Sequence, residues 1–437
     1  MILVFAMMFE FMMCWLFSPT ADTDMSGVAI ILLIVNTVIL MAVTQKDLKR
    51  HNCNYLSIYI IFGLFFRIVL LLWDVYARNI YVLPNSEGDA VWYHQIAVSY
   101  AFGTRQGSVD ITDFSYYVGL IYKLIGVQKV TAQSINVYLS IFSILLVIRI
   151  MCMLGVDDKS KATAVKLMCF LPNLAIINSI FLQETIVSFC IVASVYLYTK
   201  WWYRKSAGSF IGAIAVSVCG ALLHIGGLVS AMGIVISYPF VRSRKLNISA
   251  SKLILSLVSA MVVLIIISNY GSGLLGKIGG KLSVDSIVSS SGQTDRTSDA
   301  DYLIGDTGMS STASLILLTP VRMIYFVCSP LPWMWRGISD IIAFFGSALF
   351  YIATVRSAWK GFRLMQSEDG AKAYAFTIII ILIMAAFMFG WGVSNTGTAL
   401  RHREKFTFLC ALLYGISAQW RATNESINYG NNSGIPR

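Results

Sequence analysis

The chain has 437 residues, of which 57% are hydrophobic and only 13% are charged, and its formal net charge is +11 at pH 7. Because soluble domains carry about 25% charged residues, this composition excludes an ordinary water-soluble protein and indicates a bundle of apolar helices in a membrane. The basic residues lie in short loops between apolar runs, which excludes nucleic acid as the partner that the positive charge would otherwise suggest.

The apolar runs predict an all-α polytopic membrane protein with about twelve transmembrane helices, each of about 17–25 residues. They begin near residues 1, 26, 55, 131, 163, 184, 253, 338, 374 and 404. The stretch 209–241 is too long for one helix and is predicted to form two, with a turn at 224–227. Residues 1–437 are therefore predicted to form a single transmembrane domain, whose amino terminus is a first span rather than a signal peptide.

The short basic loops predict the orientation. Clusters of Lys and Arg occur at residues 46–50, 159–166, 200–205, 242–252 and 356–372, whereas the turns 18–25, 181–184 and 224–227 contain none. Because cytoplasmic loops are enriched in Lys and Arg, both termini are predicted to be cytoplasmic. This leaves two long extracytoplasmic loops, 76–130 and 270–338, and a shorter one, 392–405.

The two long loops differ in character. Loop 76–130 is aromatic and patterned and is predicted to contain interfacial helices. Loop 270–338 includes an apolar segment, 314–335, which we predict to be re-entrant and broken by its prolines Pro320, Pro330 and Pro332, because a further span would place the 356–372 cluster outside. The polar segment 289–310 is predicted to be mobile, and the tail 421–437 to be disordered.

The first loop carries a candidate base. Glu87, Asp89 and His94 place two carboxylates and an imidazole within eight positions. A carboxylate such as Asp89 can deprotonate an acceptor hydroxyl if it lies beside the reacting atoms. Alternatively, Ser86 and Asp89 match a capping box that opens a helix. Glu87 and Asp89 could also hold a divalent cation, but two acids are weak evidence for one, and no cofactor is predicted.

Two further residues are candidates on the same face of the membrane. His94 follows Trp92 and Tyr93, so packing at the membrane interface is the alternative to a catalytic role. Glu184 follows Gln183 in a short outer turn and is predicted to be a second acid or a sugar-binding group. The alternative for Glu184 is a solvated or helix-capping carboxylate.

The third loop predicts an anionic ligand. Arg401, His402 and Arg403 break the trend of short outer loops without basic residues, and a guanidinium offers a planar fork of donors to phosphate. Arg322 and Arg336 lie on either side of the Pro-rich stretch and are predicted to join this cluster. The alternative is a set of long cationic side chains that anchor a helix end at the interface.

No P-loop, Gly-rich dinucleotide turn or nucleophile elbow occurs, which disfavours ATP-driven transport and nucleotide chemistry. Four groups of residues instead follow one another along the chain in a recognisable order. They are Gly88-Asp89-Ala90 with Tyr93-His94 and Ala97, then 117–126, then Pro172-Asn173 with Gln183-Glu184, and finally 395–405. This order resembles the polytopic membrane glycosyltransferases of the GT-C superfamily. The stretches 329–333 and 397–403 look most like bacterial exopolysaccharide or O-antigen repeat-unit polymerases.

The resemblance implies a GT-C-like fold and an enzyme of the inner (cytoplasmic) membrane that acts on undecaprenyl-linked sugars at its outer face, with Asp89 as the base. The expected function is polymerisation of a cell-surface polysaccharide, with a single-sugar transferase as the first alternative. Expected partners are a polyprenyl-linked sugar or oligosaccharide, membrane lipid and other polysaccharide-assembly proteins. A lipid-linked oligosaccharide flippase is the alternative from another class, although transporters often show repeated halves and none is visible here.

Overall fold

The computed structural model describes residues 8, 12, 26–105, 113–274, 312–366, 370–393 and 395–432, and within these residues no strand occurs. The helices of the first half are, in order, α1 (Ser26–Arg50), α2 (Ser57–Tyr76), α3 (Asp89–Ala101), α4 (Phe114–Ile125), α5 (Lys129–Met153), α6 (Asp158–Phe170), α7 (Pro172–Ile177) and α8 (Glu184–Arg204). They are followed by α9 (Ala207–Leu223), α10 (Leu228–Val241), α11 (Ala250–Leu274), α12 (Thr312–Cys328), α13 (Ile338–Ala343), α14 (Leu349–Leu364), α15 (Gly370–Gly392), α16 (Thr396–Glu404) and α17 (Thr407–Asn432).

Apolar helices dominate the described part of the chain. Five helical segments are long and apolar enough to cross a membrane: Gly27–Arg50, Asn54–Tyr76, Lys129–Met153, Ile338–Leu364 and Gly370–Gly392. Shorter apolar helices of 10–17 residues are Phe114–Ile125, Ala207–Leu223, Ile225–Val241, Ala250–Val262, Leu317–Cys328 and Thr407–Trp420. A helical membrane protein is therefore confirmed, whereas the number of twelve spans and their orientation stay predictions.

The chain divides into two compact units. The first consists of Met1–Leu145 with Cys169–Phe189, and the second of Leu146–Met168 with Cys190–Arg437. In the first unit, α3 and α4 form a closely packed pair within the segment 76–130. A Cβ atom added at Gly119 would lie 2.5 Å from Cβ of Tyr100, so only glycine lets the two helices approach this closely.

The core of the first unit joins this helix pair to the segment around α7. Its buried members are Leu83, Ala90, Ala97, Ala101, Phe114, Val118, Tyr122, Ala132, Ile177, Ile180, Phe181 and Leu182. The small residues Ala90 and Ala97 of α3 allow aromatic side chains of the neighbouring elements to pack against it. The core thus fixes α3, whose first residue is the candidate base, on a rigid support.

The second unit confirms the predicted turn in the stretch 209–241. α9 and α10 are joined by a 3-10 turn at Ile225–Gly227. A side chain at Gly227 would overlap the backbone of Gly220, so this turn requires glycine. The Ser217 hydroxyl donates to the carbonyl of Gly227 at 2.6 Å and holds the turn against α9.

The segment 314–335 differs from its prediction. α12 runs without a break through Pro320, so the prediction that this proline breaks the segment is wrong. Proline removes one backbone donor, and a helix in an apolar environment tolerates this loss when the neighbouring turns and helices satisfy the freed carbonyl. The helix ends instead at Cys328, before Pro330, and a 3-10 turn follows at Pro332–Met334. Re-entry into the membrane stays a prediction.

Several predicted segments lie outside the described residues. These include the first span, apart from residues 8 and 12, and residues 275–311, which contain the predicted mobile segment 289–310. At the carboxyl end, α17 continues to Asn432, so most of the segment 421–437 is helical where composition predicts disorder. The last residues, 433–437, are not described.

Candidate functional site

A buried carboxylate organises one end of the first unit. Asp74, near the end of α2, is 0% exposed. Its Oδ1 atom accepts from Nη1 of Arg78 at 2.9 Å and from the hydroxyl of Ser86. Its Oδ2 atom accepts from Nε2 of Gln133 at 2.6 Å and from Nζ of Lys129 at 3.3 Å. A buried charge is tolerated only with such compensation, and we call these five residues the Asp74 network.

The Asp74 network also holds the backbone that leads to α3. Nη1 of Arg78 donates to the carbonyl of Ser86 at 3.1 Å, which ties the loop back onto α2. On either side of Ser86 the chain takes two left-handed positions, Asn85 with φ 64° and Gly88 with φ 54°. Because Gly88 combines this φ with ψ −112°, its conformation favours glycine. The network and the two turns together set the path of the backbone at Glu87 and Asp89.

Asp89 is the first residue of α3, and its surroundings correct one prediction. The helix has Gly88 at its N-cap without a side-chain bond, and the Ser86 hydroxyl donates to Asp74 instead. The predicted capping box between Ser86 and Asp89 is therefore wrong. Glu87 and Asp89 are both exposed. In the first turn of a 13-residue helix, the Asp89 carboxylate is stabilised by the helix dipole and remains accessible to solvent.

His94 packs among aromatic rings one turn further along α3. Its Nδ1 atom lies 3.1 Å from the hydroxyl of Tyr122, and its ring meets Phe181 edge-on at 5.5 Å between centroids. Burial lowers the pKa of His94 to about 4, and the charge of Lys129 adds to this effect. The imidazole is therefore neutral at pH 7. These contacts support the packing alternative, and a catalytic role stays a prediction.

Glu184 opens α8 and is 1% exposed, which excludes the solvated alternative. The turn before it is held by side chains from two other helices. Nε2 of Gln183 donates to the hydroxyl of Tyr93 at 3.0 Å, and Nδ2 of Asn136 donates to the carbonyl of Leu182 at 2.8 Å. Glu184 is thus a buried acid at the start of a helix, in the same unit as Asp89.

In the second unit, Arg403 is 2% exposed and connects three parts of the chain. Its Nε atom donates to the hydroxyl of Ser347 at 3.1 Å. Its Nη1 atom donates to the carbonyls of Phe326 at 3.3 Å, of Val327 at 3.1 Å and of Ser329. These carbonyls lie at the end of α12 and just beyond it. Phosphate binding by Arg403 stays a prediction.

Glu404 completes the same cluster. Its carboxylate accepts from Ser347 at 2.9 Å and from Thr407 at 2.6 Å. Burial raises the pKa of Glu404, and the Thr407 hydrogen bond and the charge of Arg403 oppose this rise. Ser347 lies in a five-residue π-helix, Phe344–Ala348. Its hydroxyl accepts from the Arg403 guanidinium and donates to the Glu404 carboxylate, so one side chain bridges the two charged groups. The cluster links this π-helix to α16 and α17.

His402 faces a different environment from Arg403. Its Nδ1 atom lies 2.7 Å from Nζ of Lys405, and its ring lies 4.8 Å from that of His224. Burial lowers the pKa of His402 well below its ordinary value, and Lys405 adds to this effect. A neutral imidazole accepts a hydrogen bond from the Lys405 ammonium, but it offers no positive charge to a phosphate. Arg401 beside it is half-buried.

The last two predicted phosphate ligands also contact protein groups. Arg322 is 5% exposed, and its guanidinium lies over the ring of Trp391 at 4.4 Å. Arg336 forms a bidentate pair with Asp340, with both nitrogen–oxygen distances 2.9 Å. Their roles in ligand binding stay predictions.

The predicted site residues fall into both units. Glu87, Asp89, His94 and Glu184 belong to the first unit, and Arg401, His402, Arg403, Arg322 and Arg336 belong to the second. The sequence analysis missed the Asp74 network, because Asp74 and Lys129 lie at the ends of apolar runs. One signal was available: Lys129 and Gln133 are four residues apart, which places them on one face of a helix.

The described residues contain no group of three or more His, Cys, Asp or Glu side chains that could hold a metal ion. Glu87 and Asp89 would supply two carboxylates to a cation. The features that point to a function are therefore the exposed carboxylates at the start of α3 and the charged network that supports them. Comparisons with protein-family models, with curated proteins and with solved structures found no match for this chain.

Proposed function

We propose that this chain is a membrane-embedded glycosyltransferase that uses polyprenyl-linked sugar donors and polymerises repeat units of a cell-surface polysaccharide. One observation carries the proposal. Asp89 presents an exposed carboxylate in the first turn of α3, on backbone held by the Asp74 network. A general base needs this combination of access and fixed position, since small displacements of a catalytic group are costly in rate.

The proposed reaction uses Asp89 as the base. Its carboxylate accepts the proton of an acceptor hydroxyl, and the hydroxyl oxygen forms a bond to the anomeric carbon of the donor sugar. The bond between that carbon and the oxygen of the polyprenyl phosphate or pyrophosphate breaks, and the lipid phosphate leaves with the electron pair. Donors of this kind carry their own leaving group, so the reaction needs no nucleotide.

The apolar helices support a lipid-linked donor. Side chains such as Phe62, Phe65 and Val69 of α2 are exposed on the protein and form surface that suits acyl or isoprenoid chains. Asp74 lies on the same helix, close to its end. A polyprenyl chain along such a helix would bring its phosphate towards the polar end, where the Asp74 network lies.

The test is the profile of lipid-linked saccharides, measured by mass spectrometry in cells that lack this protein. Complete single repeat units should accumulate on the outer side of the membrane and disappear when the gene is restored. A repeat unit that lacks one sugar would indicate a single-sugar transferase instead. Complete units on the cytoplasmic side would indicate a flippase and would contradict the enzymatic proposal.

A further inference from the structure

The Asp74 network carries more positive than negative charge. Arg78 and Lys129 each form an ion pair with the same carboxylate, Asp74, at 2.9 Å and 3.3 Å. Two cations therefore share one anion. We infer that Arg78 and Lys129 form an oxyanion site that binds the phosphate group of the lipid-linked substrate. The identity of that substrate rests on the proposed function, whereas the site itself rests on the geometry described here.

The hydrogen-bond donors of Arg78 are used unevenly. All of its hydrogen bonds to described residues come from Nη1, which donates to Oδ1 of Asp74 and to the carbonyl and hydroxyl of Ser86. Within the part of the chain that the structure describes, Nε and Nη2 donate to no partner. A guanidinium has five N–H donors, so most of the fork is available to a second anion.

Lys129 has the same property. Its Nζ atom donates to Oδ2 of Asp74, and an ammonium group has three N–H donors. The side chains of Arg78 and Lys129 are 26% and 22% exposed, so both cations are accessible from solvent while their partner Asp74 is buried. Both cations contact the same carboxylate, one at each oxygen, so they lie near one another. An oxyanion could therefore contact both at once.

Two further features favour an anion at this position. Lys129 is the first residue of the 25-residue helix α5, so the positive end of the helix dipole adds to the two cations. Burial lowers the pKa of His94 and the charge of Lys129 adds to this effect, so Lys129 lies close enough to act on a neighbouring group. A phosphate group fits, because a guanidinium fork and an ammonium point charge are both phosphate binders.

The experiment measures binding to the purified full-length chain in amphipol by native mass spectrometry. The probes are polyprenyl monophosphate, neutral polyprenol, phosphatidylglycerol and inorganic phosphate. The wild-type chain should prefer polyprenyl monophosphate to polyprenol. Arg78→Gln and Lys129→Gln should each weaken phosphate binding about ten-fold, as expected for one charge-assisted contact. Lys123→Gln, which removes an exposed cation of α4 in the same unit, is the matched control and should bind as wild type.

The arms of the experiment separate the sources of the phosphate. Phosphatidylglycerol binding that is equally tight and equally sensitive to the two variants would support the site and assign it to lipid headgroups in general. Equal binding of polyprenyl monophosphate and neutral polyprenol to the wild-type chain would overturn the inference. Wild-type affinity for polyprenyl monophosphate in both the Arg78 and the Lys129 variant would also overturn it. Lys129→Arg keeps the charge and should retain most of the affinity, and the melting temperature of each variant shows whether it is folded.

The site and the proposed function can fail independently. Asp89→Asn should bind polyprenyl monophosphate normally, because Asp89 is outside the Asp74 network. If the Arg78 and Lys129 variants bind normally while sugar transfer still depends on Asp89, the oxyanion site is wrong and the function stands. If binding depends on Lys129 but the chain transfers no sugar from any polyprenyl-linked donor, the function is wrong and the site stands.

Discussion

Nζ of Lys129 lies 3.3 Å from Oδ2 of Asp74, although 55 positions separate the two residues in the chain. This contact joins the end of α2 to the start of α5, so it closes the segment between them into a loop whose two ends are fixed. Gln133, one helical turn beyond Lys129, donates to the same oxygen at 2.6 Å. The candidate base Asp89 lies within that loop, so a structural ion pair supports a residue with a proposed chemical role.

The proposed base can be tested against its neighbour. Asp89→Asn should abolish sugar transfer while the protein level and lipid binding stay unchanged, because an amide cannot accept the proton of the acceptor hydroxyl. Glu87→Gln is the matched control, since Glu87 is a second exposed carboxylate two positions earlier. Transfer from a polyprenyl-linked donor is the measurement. Full activity of Asp89→Asn would exclude Asp89 as the base, and loss of activity only in Glu87→Gln would move the role to Glu87.

Removal of the buried carboxylate should destabilise the protein. Asp74→Ala leaves two cations without their shared partner, and breaking a buried pair costs about 3–5 kcal/mol of the free energy of unfolding. We expect the lower end of this range, because Arg78 and Lys129 are about a quarter exposed and water can solvate them. Asp158→Ala breaks a pair whose carboxylate is 71% exposed and should cost at most about 1 kcal/mol. Equal melting temperatures for the two variants would contradict the importance of the network.

Gly88→Ala tests the left-handed turn before Asp89. No atom lies within 4 Å of a Cβ added at Gly88, so the variant has space but must adopt φ +54° with a side chain. This strain should cost about 1–3 kcal/mol, or shift the backbone of Asp89 and reduce sugar transfer. Gly27→Ala is the control, because Gly27 has equal space without a positive φ. It should be neutral or stabilising in α1, and an equal effect of both variants would show that φ at Gly88 is unimportant.

The buried imidazole predicts a pH dependence of stability. The pKa of His94 in the folded chain is about 4, below its ordinary 6.5, so the unfolded chain binds the proton more readily. The contribution of neutral His94 to stability is therefore complete above pH 6.5 and decreases as the pH falls towards 4. His94→Gln should weaken the dependence of the melting temperature on pH across this interval. His51→Gln, at a partly exposed histidine, is the control and should keep the pH dependence of the wild type. Parallel pH profiles for wild type and His94→Gln would contradict this prediction.

Arg403→Lys separates a structural role from a phosphate-binding role. An ammonium cannot reproduce the fork that contacts Ser347 and three backbone carbonyls, so the variant should lose about 2–3 kcal/mol of stability. Arg336→Lys changes a pair in which the arginine is 41% exposed, and it should cost less than about 1 kcal/mol. Wild-type stability with weakened donor binding in Arg403→Lys would favour the phosphate role that the sequence predicts.

Local features of the sequence predicted much of the fold. The apolar runs at α1, α2, α5 and α15 could be assigned from composition alone, because the length and hydropathy of a segment decide whether it can cross a membrane. The turn between α9 and α10 was also predictable, because two glycines interrupt a stretch too long for one helix. The candidate residues Glu87, Asp89, His94 and Glu184 could be named from their types, but not their contacts.

The sequence by itself determined that this is a helical membrane protein with charged residues gathered in a few loops. Only the tertiary structure decided what those charges do. Ser86 binds Asp74 rather than capping α3, and the three carbonyls that accept from Arg403 lie 74–77 positions away, at the end of α12 and just beyond it. Hydropathy acts on each segment separately, so it can be read along the chain. A buried charge instead requires donors from several elements, and packing in three dimensions decides which donors reach it.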